Sequence, residues 1–478
     1  MRFSLSTAHA DFGLPTGGLF IRRRSTTPEC HRYRPAGWPR KGKTLLLTCV
    51  CVLSFSLVVA GRSNAALSFW SELSENTDAQ LQVVTFGTHL EPGNEILNPD
   101  NRLLKLPRYT LETSLRPDLG VDMESWRLRV KPRAQLTYFA RDEEVDPEGT
   151  EFEDDYYVNE WQIQIKPTEG FIAIGGRENL QWGPAFLFSP SNPFIGNNGN
   201  ANPFVEVPGM DFARLVFLPD DTWTYSLIAS VDKGRQTFEN QDFSSAIALK
   251  MDYAGIAGNW GMIMACNQER HFTFGMFGNW SATDALMLYA DAAMIRGSFA
   301  RYPEPTEDNP TGFQLRAQAV EQTYWTPSCI IGGAYTFLSG PTISLEYLYN
   351  GLGYDSRQAQ DLADYRLEAS AIFTSDGPYS EAGAALLGQS VDVGLEFLRR
   401  SYLMLQWYHH GIAEVLDVRV RGLGNLDDGA LRCSLQVEYA FAGNARAFLL
   451  GVANSGSADS EFRTLYDEYV LLGFELFF

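Results

Sequence analysis

Residues 126–138 read WRLRVKPRAQLTY. Trp126, Leu128, Val130, Pro132, Ala134, Leu136 and Tyr138 alternate with Arg127, Arg129, Lys131, Arg133, Gln135 and Thr137. Successive side chains of an extended chain point to opposite faces, so the pattern predicts a strand with one apolar and one strongly polar face. Soluble strands average about five or six residues. This run is longer, and suits a tilted strand crossing a bilayer, which needs roughly 9–11 residues. Pro132 costs one ladder donor.

The alternation recurs along the chain. Trp161, Ile163 and Ile165 oppose Glu160, Gln162, Gln164 and Lys166; Tyr109, Leu111, Thr113 and Leu115 oppose Arg108, Glu112, Ser114 and Arg116. At the end of the chain Val470, Leu472, Phe474, Leu476 and Phe478 share a face, with Tyr469, Gly473 and Glu475 opposite. Further strands are predicted near 81–90, 170–177, 211–218, 222–231, 243–254, 258–267, 271–280, 284–297, 313–324, 328–338, 341–350, 391–399, 401–410, 431–441 and 445–453. The tally is nineteen, with the alternation of short and long connections failing between 298 and 338. A closed single-chain barrel needs an even number, so about eighteen strands are expected (16–20). No convincing amphipathic helix is evident, and 357–390 is the least legible segment.

Composition agrees. The chain of 478 residues holds 31 Phe, 21 Tyr, 10 Trp and 42 Gly, with a mean hydropathy of -0.18. A polytopic helical bundle needs many spans of about 20 apolar residues, and there is one long apolar run, 44–61. A soluble β-sandwich would also alternate. Against it stand the strand lengths, the aromatic pairs at strand ends (Tyr138-Phe139, Tyr156-Tyr157, Trp407-Tyr408) and the terminal Phe478.

Residues 1–65 form a separate unit. Nine Lys/Arg, ending in Arg40-Lys41-Gly42-Lys43, precede the apolar run, and Arg62 and the small residues Ser63-Asn64-Ala65-Ala66 follow. That order of basic, apolar and small residues predicts a secretory signal peptide. Its lead-in is long for a signal, which suggests a start codon placed too far upstream. The alternatives are a signal anchor or a lipoprotein site at Cys49 or Cys51. The expected mature chain, 66–478, keeps 28 of the 38 Lys/Arg and 56 of the 58 Asp/Glu, a net charge of -28 that argues against a nucleic-acid partner. Cys266, Cys329 and Cys433 are too sparse for a disulfide framework or a metal knuckle.

With its alternating, aromatic-ended last strand Val470 to Phe478, the chain resembles bacterial outer-membrane porins. The resemblance covers about 66–478. It implies an all-β transmembrane antiparallel barrel in the bacterial outer membrane, contacts with membrane lipid and lipopolysaccharide, and a C-terminal strand ending at Phe478 that the barrel assembly machinery reads. It is compatible with a homotrimer. Short turns at 167–169, 219–221, 281–283 and 442–444 would be periplasmic. Longer segments at 91–107, 141–156, 178–210, 232–242, 351–390, 411–430 and 454–466 would face outward.

Segment 178–210 contains five prolines and an Asn/Gly run, and cannot sustain a strand. Its aromatics need cover, so we expect it to fold into the barrel as a constriction loop carrying Trp182, Phe186, Phe188, Asn192, Phe194, Asn197, Asn198 and Phe204. The alternatives are packing on the rim or against a second protomer. The preceding Gly175-Gly176-Arg177-Glu178 and Gln181-Trp182-Gly183-Pro184 resemble a strand-to-loop feature of several outer-membrane channel families. Arg127, Arg129, Lys131 and Arg133 should face the lumen, because a lipid-facing Arg or Lys at mid-membrane costs about 2–4 kcal/mol. There they would form a basic wall that attracts anions, or balance carboxylates such as Glu112 and Glu160. Arg177 and Arg214 are further channel-lining candidates; Arg399, Arg419 and Arg421 are weaker ones. The nine acids between Asp142 and Asp155 lack calcium-loop spacing. They are expected to be solvated or to recruit cations bridging lipopolysaccharide.

No catalytic motif of a hydrolase, NTPase, metalloprotease or haem protein is present, and no cofactor or metal is implied. His409 and His410 would point to opposite faces of a strand. The sequence therefore predicts passive diffusion of small hydrophilic solutes rather than an enzyme. The alternative is a plugged barrel for export or surface attachment of polysaccharide, with an outer-membrane hydrolase as a remoter option.

Overall fold

The computed structural model describes residues 73–478, apart from 94–95, 143–148, 195–197, 238–241, 319–323 and 376–378, together with two short paired strands, Phe3–Ser4 and Arg22–Arg23. The predicted signal segment 1–65 otherwise lies outside the described residues.

Eighteen antiparallel strands close into one barrel. In chain order they begin with β1 (Thr77–Pro92), β2 (Tyr109–Asp122), β3 (Trp126–Ala140), β4 (Thr150–Thr168), β5 (Phe171–Glu178) and β6 (Met210–Phe217). Next come β7 (Trp223–Asp232), β8 (Ala246–Ala254), β9 (Gly258–Asn267), β10 (Phe272–Ser281) and β11 (Leu286–Arg296). A separate hairpin, β12 (Arg301–Pro305) with β13 (Phe313–Ala317), interrupts the barrel. The wall resumes with β14 (Thr326–Thr336), β15 (Thr342–Asn350), β16 (Ser401–Ile412), β17 (Leu416–Asn425), β18 (Leu431–Ala442), β19 (Ala445–Ser455) and β20 (Tyr466–Phe477). The seam is β20 against β1, where Phe478 N donates to Leu81 O (2.8 Å) and Leu81 N to Phe478 O (3.0 Å). Closure leaves no edge in hydrocarbon, where an unpaired peptide group costs several kcal/mol.

The alternation sets which face looks out. Leu111, Leu115, Leu136, Ile163, Ile165, Leu249, Met276, Ile331, Leu405 and Leu472 are all exposed on the outer surface, whereas Glu112, Ser114, Arg116, Arg133, Gln135 and Thr137 are buried inside. Pro132 sits at a β-bulge. Lys131 pairs with Glu160 and Pro132 with Val158, so Asn159 is the extra residue, and upstream of it Tyr156 and Phe152 take the outward face. A residue without an N–H suits the point where the ladder breaks.

The strand count of eighteen holds, but its members differ from expectation. Among the described residues of the predicted 313–324 strand, Phe313–Ala317 is extended, and it belongs to the outlying hairpin; 319–323 lie outside the described residues. Segment 391–399 contains no strand. The expected outward segment 411–430 contains barrel strand β17, and 141–156 includes the first residues of β4. Illegible segment 357–390 contains two helices, α1 (Ser356–Thr374) and α2 (Ser380–Val391).

One barrel end carries tight turns, and the other carries the long connections. Inside, the wall is not polar all round. The inward faces of β1, β19 and β20 present Val84, Phe86, Leu90, Phe448, Leu450, Val452 and Leu471 to Leu97, Leu103, Phe204 and Val205, and to Ala369, Phe373 and Leu387 of the two helices. A second apolar cluster joins Leu187 and Ala185 to Ile330, Leu348, Met404 and Leu423. A third seats Trp182 and Phe194 against Met210, Phe212, Ile228, Ala248 and Ile263. Grease lies outside, and also where connections fold inward.

Candidate functional site

The connection between β5 and β6, 179–209, runs inside the barrel and touches walls on several sides. Its aromatic side chains each meet a different inward-facing element. Phe194 packs on Phe212 of β6 (5.2 Å between centroids), Phe186 on Tyr289 of β11 (6.3 Å), Phe188 on Phe397 (5.5 Å) and Phe204 flat on Phe448 of β19 (4.0 Å). Trp182 meets Phe194 edge-on, with Lys250 over its ring. Phe204 is buried, and such full burial contributes about 1.5–3 kcal/mol. Trp182, Phe186, Phe188 and Phe194 are half-buried and add a part of that each, so packing helps to hold the proline-rich segment without any ladder.

Two wall carboxylates fix its backbone. Asp291 of β11 accepts from Ser189 Oγ (2.6 Å) and Ser191 N (2.9 Å). Glu346 of β15 accepts from Phe186 N (2.6 Å) and Leu187 N (3.1 Å). Gly183 lies at φ +84°, and a Cβ there would meet Asp291 Oδ2 at 2.1 Å, so only glycine lets the loop pass this clasp. Amides complete the seat: Asn192 Nδ2 donates to Leu180 O and Asn198 Nδ2 to Phe186 O. Asn197 lies outside the described residues.

The basic ladder faces inward, and each of its cations has a carboxylate beside it. Arg127 donates to Asp122 and Arg129 lies 3.9 Å from the same carboxylate; Lys131 pairs with Glu160 at 2.9 Å. Arg133 pairs with both Asp118 (2.9 Å) and Glu206 of the inner loop (2.6 Å). Burial opposes the charge on Glu206, but its bond to Arg133 and the field of Arg116 hold the carboxyl below its usual range. Glu112 is buried on the inner face of β2. Arg177 pairs with Asp211 in bidentate fashion (2.6 and 3.1 Å), and Arg214 with Glu178, which also accepts from Gln162 (2.9 Å).

A different wall holds cations with neutral partners. Arg421 donates to Gln406 Oε1 (2.8 and 3.0 Å) and to Asn200 O of the inner loop (3.3 Å). Arg419 donates to Gln436 (3.1 Å) and Arg432 to Asn454 (2.7 Å). Among the described residues none of these three has a carboxylate within ion-pair distance. Arg419 and Arg421 were among the weaker channel-lining candidates read from the sequence, and they alternate with Val418, Val420 and Gly422 in Leu416–Asn425; Arg432 was not named there. Asp118, Glu206, Asp291, Glu346 and Gln406 were not anticipated. The signal for Asp291 and Glu346 was a lone acid at an inward register in an otherwise apolar strand.

At the long-connection end α1, the β12–β13 hairpin and 392–400 pack on one another, and α2 packs beside α1. Glu461 is the buried hub of this end, accepting from Leu398 N (2.8 Å), Asn425 Nδ2 (2.8 Å) and the Tyr402 hydroxyl. Burial pushes its carboxyl up to about 7. Arg366 of α1 donates to Ser390 O (2.6 Å), and burial brings its guanidinium down to about 10.

A closed eighteen-strand barrel with the connection between β5 and β6 folded inside is thus the class that the geometry defines. No family model matches the chain, and no curated protein matches it. Solved structures do. OccK11 of Pseudomonas aeruginosa superposes with a TM-score of 0.50 at 10% identity, over 84% of this chain and 96% of that one. The outer membrane protein OprD of the same organism gives 0.48 at 9% identity, over 84% and 94%. A Rh. blastica porin mutant gives 0.41 at 12%, over 84% and 100%. Likeness at this identity concerns the fold.

Proposed function

We propose that the protein is a channel of the bacterial outer membrane through which small hydrophilic solutes diffuse passively. The observation that carries this is a closed barrel, apolar on its outer belt, whose interior sets the ion pair of Arg133 with Glu206 of the inner loop apart from Arg419, Arg421 and Arg432, which among the described residues have no carboxylate within ion-pair distance. Separated charge in a confined aqueous path orients dipolar solutes and tunes ion preference without a chemical step. Selectivity is assigned to Arg419 and Arg421, because a cation beside its own carboxylate exerts little net field. Lipid and lipopolysaccharide contact the outer belt, and the assembly machinery engages the strand ending at Phe478.

Reconstitution into a planar bilayer tests this. Discrete openings with ohmic current are expected, and Arg419→Gln with Arg421→Gln should move the reversal potential in a salt gradient toward cations. Silence in the bilayer from a correctly folded barrel would remove the channel. The second reading, a polysaccharide conduit or anchor with a blocked lumen, gains from the apolar clusters that tie connections into the interior. It requires silence together with polysaccharide binding.

A further inference from the structure

At the long-connection end a cleft of about 640 Å³, partly open to solvent, lies between the β12–β13 hairpin, the start of β14 and the turn leading into α1. It is separate from the barrel interior described above. Its frame is rigid. Tyr302 donates to Leu352 O (2.7 Å) and packs edge-on against Tyr354 (5.5 Å), over a core of Ala300, Tyr354, Leu362, Val393, Leu395 and Leu398. The floor is close backbone packing, since a Cβ on Gly353 would meet Arg399 O at 2.1 Å.

The groups facing the cleft have committed part of their hydrogen bonding and kept the rest. Gln358 spends Oε1 on Asp355 N (3.0 Å) as half of a capping box, which leaves its Nε2 to donate. Ser298 Oγ accepts from Ala300 N (3.0 Å), which leaves its hydroxyl proton. Arg400 donates Nε to Gly353 O (3.0 Å) and lies 3.7 Å from Asp355, so its charge is already balanced. Tyr324 stands at the rim with 87% of its surface exposed.

We propose that this cleft binds a neutral saccharide unit, with one sugar face stacked on Tyr324 and hydroxyls bonded to Gln358, Ser298 and Arg400. An exposed ring offers a face on which an apolar sugar face can stack, the free donors can bond hydroxyl oxygens, and a balanced arginine gives no preference for an acid. A sugar supplies the first two and carries no charge. Phosphates and carboxylates would need an unpaired cation, and a peptide would need a broader apolar lining.

Titration calorimetry on the full-length protein, in an amine-oxide detergent whose headgroup is not a sugar, tests the site with maltohexaose. Saturable binding is expected, with the neighbouring Trp325 fluorescence following the same isotherm. Tyr324→Ala should weaken it about tenfold. Gln358→Glu, which keeps the capping acceptor and removes the donor, should weaken it severalfold while the helix persists. Absence of saturable heat, or affinity unchanged in both variants, overturns the proposal. So does tighter binding of an oligogalacturonate. Binding in detergent is read independently of conductance, so either result can fail alone.

Discussion

Arg133 joins a wall strand to the inner loop. Its side chain is 2% exposed, and the guanidinium grips Glu206 and Asp118 together. Removing one partner of a buried pair costs roughly 3–5 kcal/mol because the other is stranded, and the 45% exposure of Asp118 places Arg133→Gln at the low end. The urea midpoint in detergent should fall accordingly; an unchanged midpoint would show that water screens the cluster. Glu461 makes the opposite kind of prediction. Its folded pKa of about 7 exceeds the ordinary 4.5, so between these values the native state holds a proton that the unfolded chain has released. The mouth therefore gains stability as pH falls from above 7 toward 4.5. Hydrogen exchange at the Leu398 amide, corrected for intrinsic rate, should be slower at about pH 5.5 than at about pH 8.5. Glu461→Gln should flatten that difference. Glu206, whose carboxyl is held low, has its stabilising window on the other side: present above the ordinary carboxylate value and lost only in stronger acid.

Among the elements, the inner loop has the clearest consequence for transport. It is held at Ser189, Ser191, Phe186 and Leu187 by Asp291 and Glu346 and further along at Glu206 by Arg133, and 192–202 falls between these two attachments in sequence. Deleting 192–202 should raise single-channel conductance severalfold with the barrel intact. Equal conductance would place the narrowest point elsewhere. That the segment leaves the wall was legible in its prolines, which withhold ladder donors, and that it folds inward was legible in phenylalanines that need cover. Where it docks was not legible, since a loop's partners come from strands distant in sequence. The same limit explains the misread elements. β17 lies between the turns around Gly411–Val415 and Asn425–Ala430, and the turn signals outweighed a short alternation broken by Gly422 and Gly424. Helix α1 had its start written in Asp355 and Gln358. Its buried residues Leu362, Tyr365, Ala369 and Phe373 follow helical spacing, but alanines dilute the contrast. The β12–β13 hairpin carries strand propensity without a register in the wall, which only the fold can decide.

For the molecule as a whole, everything depends on closure at one seam. β20 pairs with β1 from Tyr466 opposite Pro92 to Phe477 opposite Gln82, with a shift between Tyr466 and Glu468. The reciprocal bonds of Phe478 with Leu81 end the ladder at the tight-turn side. Inside the seam, Leu471, Phe448 and Phe86 belong to the cluster that also seats Phe204 and the helices, so closing the wall and packing the interior are one event. Removing Leu476–Phe478 deletes the pairings of Leu476 with Val83 and Phe477 with Gln82 and uncovers ladder groups of β1, each costing several kcal/mol in hydrocarbon. It also removes the aromatic end that, under the function proposed above, the assembly machinery engages. Two effects are expected, and they separate. Refolded from urea into detergent without any assembly factor, the truncated chain should lose the compact band that persists in denaturing gels until boiling, if closure itself needs these residues. If it refolds normally yet fails to reach the outer membrane in cells, the terminal residues act as an address and the remaining seam suffices to close the wall. Normal refolding together with normal targeting would contradict both roles assigned to this end of the chain.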